Sequence, residues 1–147
     1  MKLLMVCLGN ICRSPLAHGI MEHLIKKEGL HWEVDSAGTG NWHVGLPPDR
    51  RSIAVAKQQG IDIAKQVCRQ FQQNDFDTYD HIYVMDRDNL DTVLALARTA
   101  VDKNKVSLLI ENDTIPDPYW DDAQFEPVFH LIEKACRAIL KKHQKTT

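Results

Sequence analysis

The chain has 147 residues, enough for one domain, and its 44 % hydrophobic and 26 % charged residues are typical of a globular protein. A formal net charge of −2 gives no support for nucleic-acid or membrane binding as the main function. No apolar run is as long as a membrane span, and Asn10 and Arg13 interrupt the first run too early for a typical signal peptide. We therefore predict a single domain over residues 1–147 in the cytoplasm.

Short apolar strands alternate with amphipathic helices along the chain. The predicted strands are residues 3–6, 32–37, 81–85 and 106–110, and the predicted helices are 15–28, 49–59, 89–97 and 123–142. Residues 61–76 are polar and mixed, which indicates a loop with a short helical turn. This alternation predicts an α/β fold in three layers, with a four-stranded parallel sheet in the order 2-1-3-4 and helices on both faces.

The loop between the first strand and the first helix has the pattern of a phosphate-binding cradle. Cys7 and Arg13 bracket five residues, a length over which backbone N–H groups can curl around a tetrahedral oxyanion. Gly9 gives this loop conformational freedom, and Asn10 tolerates a left-handed conformation. The helix start adds free N–H donors and the positive end of the helix dipole. The predicted phosphate-binding residues are Leu8, Gly9, Asn10, Ile11, Cys12, Arg13 and Ser14.

The same loop has the side chains needed for nucleophilic chemistry. Cys7 would lie at the floor of the cradle, where the surrounding N–H groups and Arg13 favour its thiolate form for attack on phosphorus. The planar guanidinium of Arg13 can bind two phosphate oxygens in the transition state. Ser14 can donate a hydrogen bond to the sulfur, and we also expect it to cap the helix that Pro15 begins.

A second segment, residues 115–120, can supply the proton that a departing phenolate requires. Asp117 lies between two prolines, which stiffen the loop and can hold an acid at the rim of the pocket. Tyr119 and Trp120 follow it and offer flat faces to a substrate ring. Trp42 lies in a turn-rich loop after the second strand, at the sheet edge where ligands bind in this kind of fold, so it could form a wall of the pocket.

The run from Val6 to Pro15 closely resembles the loop of the low-molecular-weight protein tyrosine phosphatases, and Asp117-Pro118-Tyr119 resembles that family's acid loop. The resemblance implies hydrolysis of phosphotyrosine through a phosphocysteine intermediate, without metal or cofactor. It implies tyrosine-phosphorylated proteins as partners, with a tyrosine kinase as one candidate. It further implies that Trp42 faces the substrate ring. It also implies supporting roles near the phosphate loop for Ser36, Asp86 and Gln66, the last at a position where the family often has histidine.

Other interpretations remain open on the same residues. Cys7 and Cys12 could form half of a metal site, but no second Cys or His pair follows at a suitable spacing, and we predict no metal. Arsenate reductases on this scaffold use additional cysteines, which residues 83–89 lack, and arginine phosphatases typically have Thr where this chain has Ile11. A non-catalytic phosphotyrosine-binding module would not require both Cys7 and Asp117. Finally, a reversible Cys7–Cys12 disulfide could switch off the enzyme.

Overall fold

The computed structural model describes residues 1–145. The chain forms four strands, β1 (Lys2–Cys7), β2 (Glu33–Gly38), β3 (His81–Val84) and β4 (Val106–Leu108). Six helices lie within the described residues, α1 (Arg13–Lys27), α2 (Arg50–Gln58), α3 (Asp75–Thr78), α4 (Arg87–Ala95), α5 (Ala100–Asn104) and α6 (Phe125–Gln144). Two short 3-10 turns, Pro118–Trp120 and Asp122–Gln124, precede α6.

The sheet has the predicted topology. All four strands are parallel and lie in the order β2-β1-β3-β4, which confirms the three-layer α/β prediction. The central strand β1 pairs with β2 up to Cys7, which lies opposite Gly38, so the phosphate loop leaves the sheet from its middle. The carboxyl ends of parallel strands share one sheet edge, and the predicted site residues at positions 7 and 86 therefore come together there.

Side chains of β1 alternate between two apolar clusters, as expected for a strand covered on both faces. Leu3, Met5 and Cys7 pack with buried residues of α1, α2 and α6 on one face. Leu4 and Val6 pack on the other face in a smaller cluster with residues of β3, α4 and the segment that leads into α3. Burial on both faces fixes β1 as the rigid support of the loop that follows it.

The structure differs from the predicted elements mainly at their ends. Helix α1 begins two residues earlier than predicted, at Arg13, and β4 ends at Leu108 because the chain turns there toward the acid loop. Helix α5 was missed because it has only five residues, too few to show a helical period. The predicted single domain extends two residues beyond the described part of the chain. No helix within residues 1–145 is long and apolar enough to cross a bilayer.

Candidate active site

Cys7 lies at the end of β1 with only 3 % of its surface exposed. Its Sγ is 3.0 Å from the hydroxyl Oγ of Ser14, which is close enough for the hydroxyl to donate to a thiolate. The prediction that Ser14 caps the helix is wrong. Cys12 is the N-cap of α1 and makes no side-chain capping bond, whereas Ser14 lies inside the first turn with its side chain directed to the sulfur.

Asn10 shapes the phosphate loop from inside. It has a left-handed conformation with φ of 57°, its Nδ2 donates to Ser14 Oγ at 2.9 Å, and its Oδ1 accepts the backbone N–H of Arg69 at 3.0 Å. Gly9 does not adopt a positive φ, contrary to the expected use of its freedom. A Cβ there would come 3.2 Å from the ring of His43, a tight contact, so the ring would have to move slightly. Gly38 has a stricter requirement, because a Cβ on it would meet the loop backbone at 2.9 Å.

Arg13 is buried at the other end of the loop and is fixed by two partners. Its Nη1 donates to Asp86 Oδ2 at 2.7 Å and to the backbone carbonyl of Ile115 at 2.9 Å. Burial would lower the pKa of Arg13, but the negative charges of Cys7, Asp86 and Asp117 outweigh it and raise the pKa. The guanidinium is therefore a permanent, oriented cation. Asp86 has a second task, because its Oδ1 caps α4 by accepting the N–H of Asn89 at 2.8 Å.

Asp117 faces the phosphate loop from the far end of the chain. Its Oδ2 is 3.8 Å from Arg13 Nη2, and its Oδ1 accepts the backbone N–H of Tyr119 at 3.1 Å. The carboxyl group is about one-third exposed. One oxygen is thus held by its own loop while the other faces the pocket, as a proton donor at the rim would require.

A cavity of about 500 Å³ unites these groups. Its floor includes Cys7, Arg13 and the loop backbone, and its walls include Trp42, Tyr119 and Trp120. The indole of Trp42 is 65 % exposed, but one side rests on the backbone at Gly40, where any Cβ would overlap the ring. Tyr119 and Trp120 meet edge to face at 4.8 Å. All three predicted ring contacts therefore border one opening.

A family model described as low molecular weight phosphotyrosine protein phosphatase matches residues 2–147. The chain belongs to this family. The low molecular weight protein-tyrosine-phosphatase YfkJ of Bacillus subtilis (strain 168) is 36 % identical to it over 98 % of this chain and 96 % of its own. The crystal structure of a protein tyrosine phosphatase from Entamoeba histolytica with Hepes in the active site is 34 % identical, with a TM-score of 0.93 over 99 % of this chain and 98 % of that one.

A third relative is named for a different substrate. The crystal structure of DARP, named as a drosophila arginine phosphatase, is 35 % identical with a TM-score of 0.90, over 97 % of this chain and 98 % of that one. Proteins named for two different substrates thus share the fold and length of this low molecular weight phosphatase.

Two of the predicted supporting residues act differently from expectation in this low molecular weight phosphatase. Ser36 was expected to join the hydrogen bonds of the phosphate loop, but its Oγ is instead 3.1 Å from Nδ1 of His18 on α1. The pKa of His18 is lowered by burial, which outweighs the opposing charges of Asp35 and Glu22. Gln66 donates from Nε2 to the carbonyl of Pro15 at 3.1 Å, so it holds the first turn of α1.

The pKa values of Cys12 and Cys68 are both raised. Burial and the charge of Asp49 raise the pKa of Cys12, and burial raises the pKa of Cys68 to about 11. Cys68 Sγ–H donates to the carbonyl of Asn10 at 2.8 Å, which makes it a support of the phosphate loop. Within residues 1–145 no group of three or more His, Cys, Asp or Glu side chains is arranged to hold a metal ion.

Three residues around the pocket were not predicted from the sequence. Gly38 and His43 contact the phosphate loop at close range, and Arg51 binds the acid loop from α2. Gly38 and His43 both belong to the segment predicted to follow the second strand. The sequence did not predict that this segment lies against residues 8–10. No signal in the sequence identifies Arg51. Its neighbour Arg50 is also an arginine, and the sequence alone does not distinguish which of the two contacts the acid loop.

Proposed function

We propose that this chain hydrolyses phosphotyrosine in proteins through a covalent phosphocysteine, with Cys7 as nucleophile, Arg13 as phosphate ligand and Asp117 as general acid and base. One observation carries the proposal. A buried thiol, a buried arginine and a carboxyl group about one-third exposed converge on one aromatic-walled pocket, although they come from distant parts of the chain. Membership in the phosphatase family supports the reaction class.

In the first step the Cys7 thiolate attacks phosphorus opposite the tyrosyl oxygen. The S–P bond forms as the P–O bond breaks, and the proton of the Asp117 carboxylic acid moves to the departing oxygen, so that tyrosine leaves neutral. Arg13, oriented by Asp86, binds two of the phosphoryl oxygens together with the N–H groups of residues 8–14.

In the second step the Asp117 carboxylate removes a proton from water, and the water oxygen attacks phosphorus. The P–S bond breaks, inorganic phosphate leaves, and the thiolate of Cys7 returns. Ser14 is placed to assist here, because its hydroxyl at 3.0 Å can donate to the sulfur as negative charge returns to it. Asp117 ends the cycle protonated, ready for the next ester.

The walls of the pocket support an aromatic ester as substrate. Trp42 and Tyr119 border the opening on either side, and a phosphotyrosine reaches deeper past them than a phosphoserine does. Phosphoarginine is the second candidate, because a solved relative is named as an arginine phosphatase. The side chain of Ile11 lines the cavity with apolar surface and thereby favours a phenyl ring over a charged guanidinium.

Tyrosine-phosphorylated proteins are the proposed partners, and a tyrosine kinase is one candidate among them. We place the reaction in the cytoplasm. The four cysteines of the described residues are all free, and a thiolate nucleophile requires a compartment that keeps thiols reduced.

The test compares hydrolysis of phosphotyrosine, phosphoserine and phosphoarginine by the wild type, Cys7→Ser and Asp117→Asn, all in EDTA. We expect phosphotyrosine to be the best substrate, no turnover by Cys7→Ser, and a loss of about 10²-fold or more in Asp117→Asn. Cys136→Ser is the matched control, since Cys136 is buried in α6 away from the cavity. Faster turnover of phosphoarginine would replace the proposed substrate, and activity in Cys7→Ser would refute the covalent mechanism.

A further inference from the structure

Within the acid loop, residues 115–124, several hydrogen bonds join neighbouring residues. Asp117 accepts from Tyr119, and Asp121 accepts from Ala123 and donates from its N–H to the carbonyl of Pro118. Such local bonds define the shape of the loop but not its position over the pocket. Something from outside must therefore set the direction in which the carboxyl group of Asp117 points.

Three remote segments contact the loop. Ile115 donates its N–H to the carbonyl of Met85 at 2.8 Å and accepts from Arg13, and Asp117 Oδ2 lies 3.8 Å from Arg13 Nη2, so these contacts hold the first part of the loop.

Arg51 on α2 provides the contacts to its second part. Its Nη1 donates to the carbonyl of Tyr119 at 3.0 Å and to Asp122 Oδ1 at 2.6 Å. In the described part of the chain, these are the hydrogen bonds that tie residues 117–124 to a segment remote in sequence. The guanidinium also lies over two rings, at 5.3 Å from the centroid of Tyr119 and 4.5 Å from that of Phe125.

The other side of the same guanidinium is anchored next to the phosphate loop. Arg51 donates from Nε to Asp49 Oδ1 at 3.0 Å and from Nη2 to Asp49 Oδ2 at 2.9 Å, a bidentate pair of the strong kind. The backbone N–H of Asp49 donates to the carbonyl of Ile11 at 2.8 Å, and Ser52 Oγ is 3.5 Å from the carbonyl of Cys12. The start of α2 thus holds the loop that carries the nucleophile.

We propose that Arg51 is a positioning residue for proton transfer, because it fixes the acid loop to the helix start that supports the phosphate loop. The inference rests on the proposed role of Asp117 as the acid. Arg51 itself is not among the residues that line the cavity and does not contact the phosphate position. It acts through the carbonyl of Tyr119, two residues from the carboxyl group that it aims.

Leaving groups of different basicity separate this role from a merely structural one. Phenyl phosphate requires a proton as the P–O bond breaks, whereas p-nitrophenyl phosphate can depart almost without one. For Arg51→Gln we expect kcat/KM to fall at least 10-fold for phenyl phosphate and no more than about 3-fold for p-nitrophenyl phosphate. Arg51→Lys retains the positive charge but not the planar guanidinium with its several N–H donors. It should therefore recover only part of the kcat/KM lost on phenyl phosphate.

Two further variants make the test robust. Asp122→Asn removes the negative charge of one exposed partner of Arg51 with little risk to folding, and should shift the ratio of the two substrates in the same direction by a smaller factor. Arg98→Gln is the matched control, because Arg98 also bonds two carboxylates, Asp77 and Asp102, but neither belongs to the acid loop or to the phosphate loop. It should leave both rates unchanged.

Equal losses on the two substrates in Arg51→Gln, or no loss, would overturn the inference. The double variant Arg51→Gln/Asp117→Asn tests whether Arg51 acts through Asp117. Without the acid, removal of Arg51 should add no further dependence of the rate on the leaving group. Asp117→Asn alone distinguishes the two proposals. If it selectively slows phenyl phosphate while Arg51→Gln does not, the positioning role fails and the acid role stands. If it slows both substrates equally, the acid role itself fails.

Discussion

Replacing Asp86 tests the electrostatic support of Arg13. The carboxylate makes a 2.7 Å bond to a guanidinium that is 3 % exposed, and it also caps α4. Loss of a hydrogen bond between charged groups costs about 1.5–3 kcal/mol, and loss of an N-cap costs about 1 kcal/mol. Asp86 is partly exposed and Arg13 keeps the carbonyl of Ile115, so we take the lower part of this range. Asp86→Ala should therefore lower the free energy of unfolding by about 3 kcal/mol.

Two comparisons separate the charge from the cap. Asp86→Asn keeps a capping oxygen and a neutral acceptor for Arg13, and should cost about half as much. Thr99→Ala removes a cap and nothing else, because Thr99 begins α5 by accepting the N–H of Asp102 at 3.1 Å. We expect it to cost about 1 kcal/mol.

Urea denaturation at neutral pH measures these differences, and thermal unfolding should show Asp86→Ala melting roughly 6–12 °C below the wild type. The decisive quantity is the gap between Asp86→Ala and Thr99→Ala. If the two variants lose the same stability, Asp86 is only a helix cap and does not stabilise the buried charge of Arg13.

Three further predictions follow from other contacts. Gly40→Ala should displace the indole of Trp42 and, in steady-state kinetics, raise KM for phosphotyrosine about 2- to 10-fold. Tm should change little. An unchanged KM would exclude Trp42 as a ring contact. Burial lowers the pKa of both His81 and His143, so the unfolded chain binds protons first as the pH falls. The free energy of unfolding, measured by urea denaturation, should therefore decrease as the pH falls below about 6.5. If the free energy of unfolding depends on pH equally steeply in His143→Gln, this cause is contradicted. Mild peroxide should produce a Cys7–Cys12 disulfide that thiols reverse, and peptide mapping that finds Cys7 overoxidised but never paired would contradict it.

The fold was predictable from the sequence because each element carries its own signal. β1 is a continuous apolar run, which is what burial on both faces requires, and α6 repeats its apolar residues at helical spacing from Phe125 to Leu140. The phosphate loop was predictable for a related reason. Its proposed chemistry is local, since the groups expected to bind phosphate and activate the nucleophile all belong to the consecutive residues 7–14.

The contacts that orient those groups were not predictable, because they join residues that are distant in sequence. Ser14 illustrates the limit. Its position before Pro15 favours a helix cap, and only the folded loop shows that the hydroxyl lies between Cys7 and Asn10 instead. Ser36 was assigned to the right region, but its partner depends on which face of α1 packs on β2. In the fold this face carries His18, whose Nδ1 lies 3.1 Å from Ser36 Oγ.

Arg51 is a further case, since it is separated from Tyr119 by 68 residues and from Asp122 by 71. The same distance in sequence explains how the site is assembled. Arg13 bonds Asp86 across 73 residues and Ile115 across 102, so the phosphate loop, β3 and the acid loop converge on one buried cation. A buried charge is stable only when these partners are present together. The nucleophile, the phosphate ligand and the acid therefore reach their working positions only when nearly the whole chain has folded, which makes the active site and the sheet a single cooperative unit.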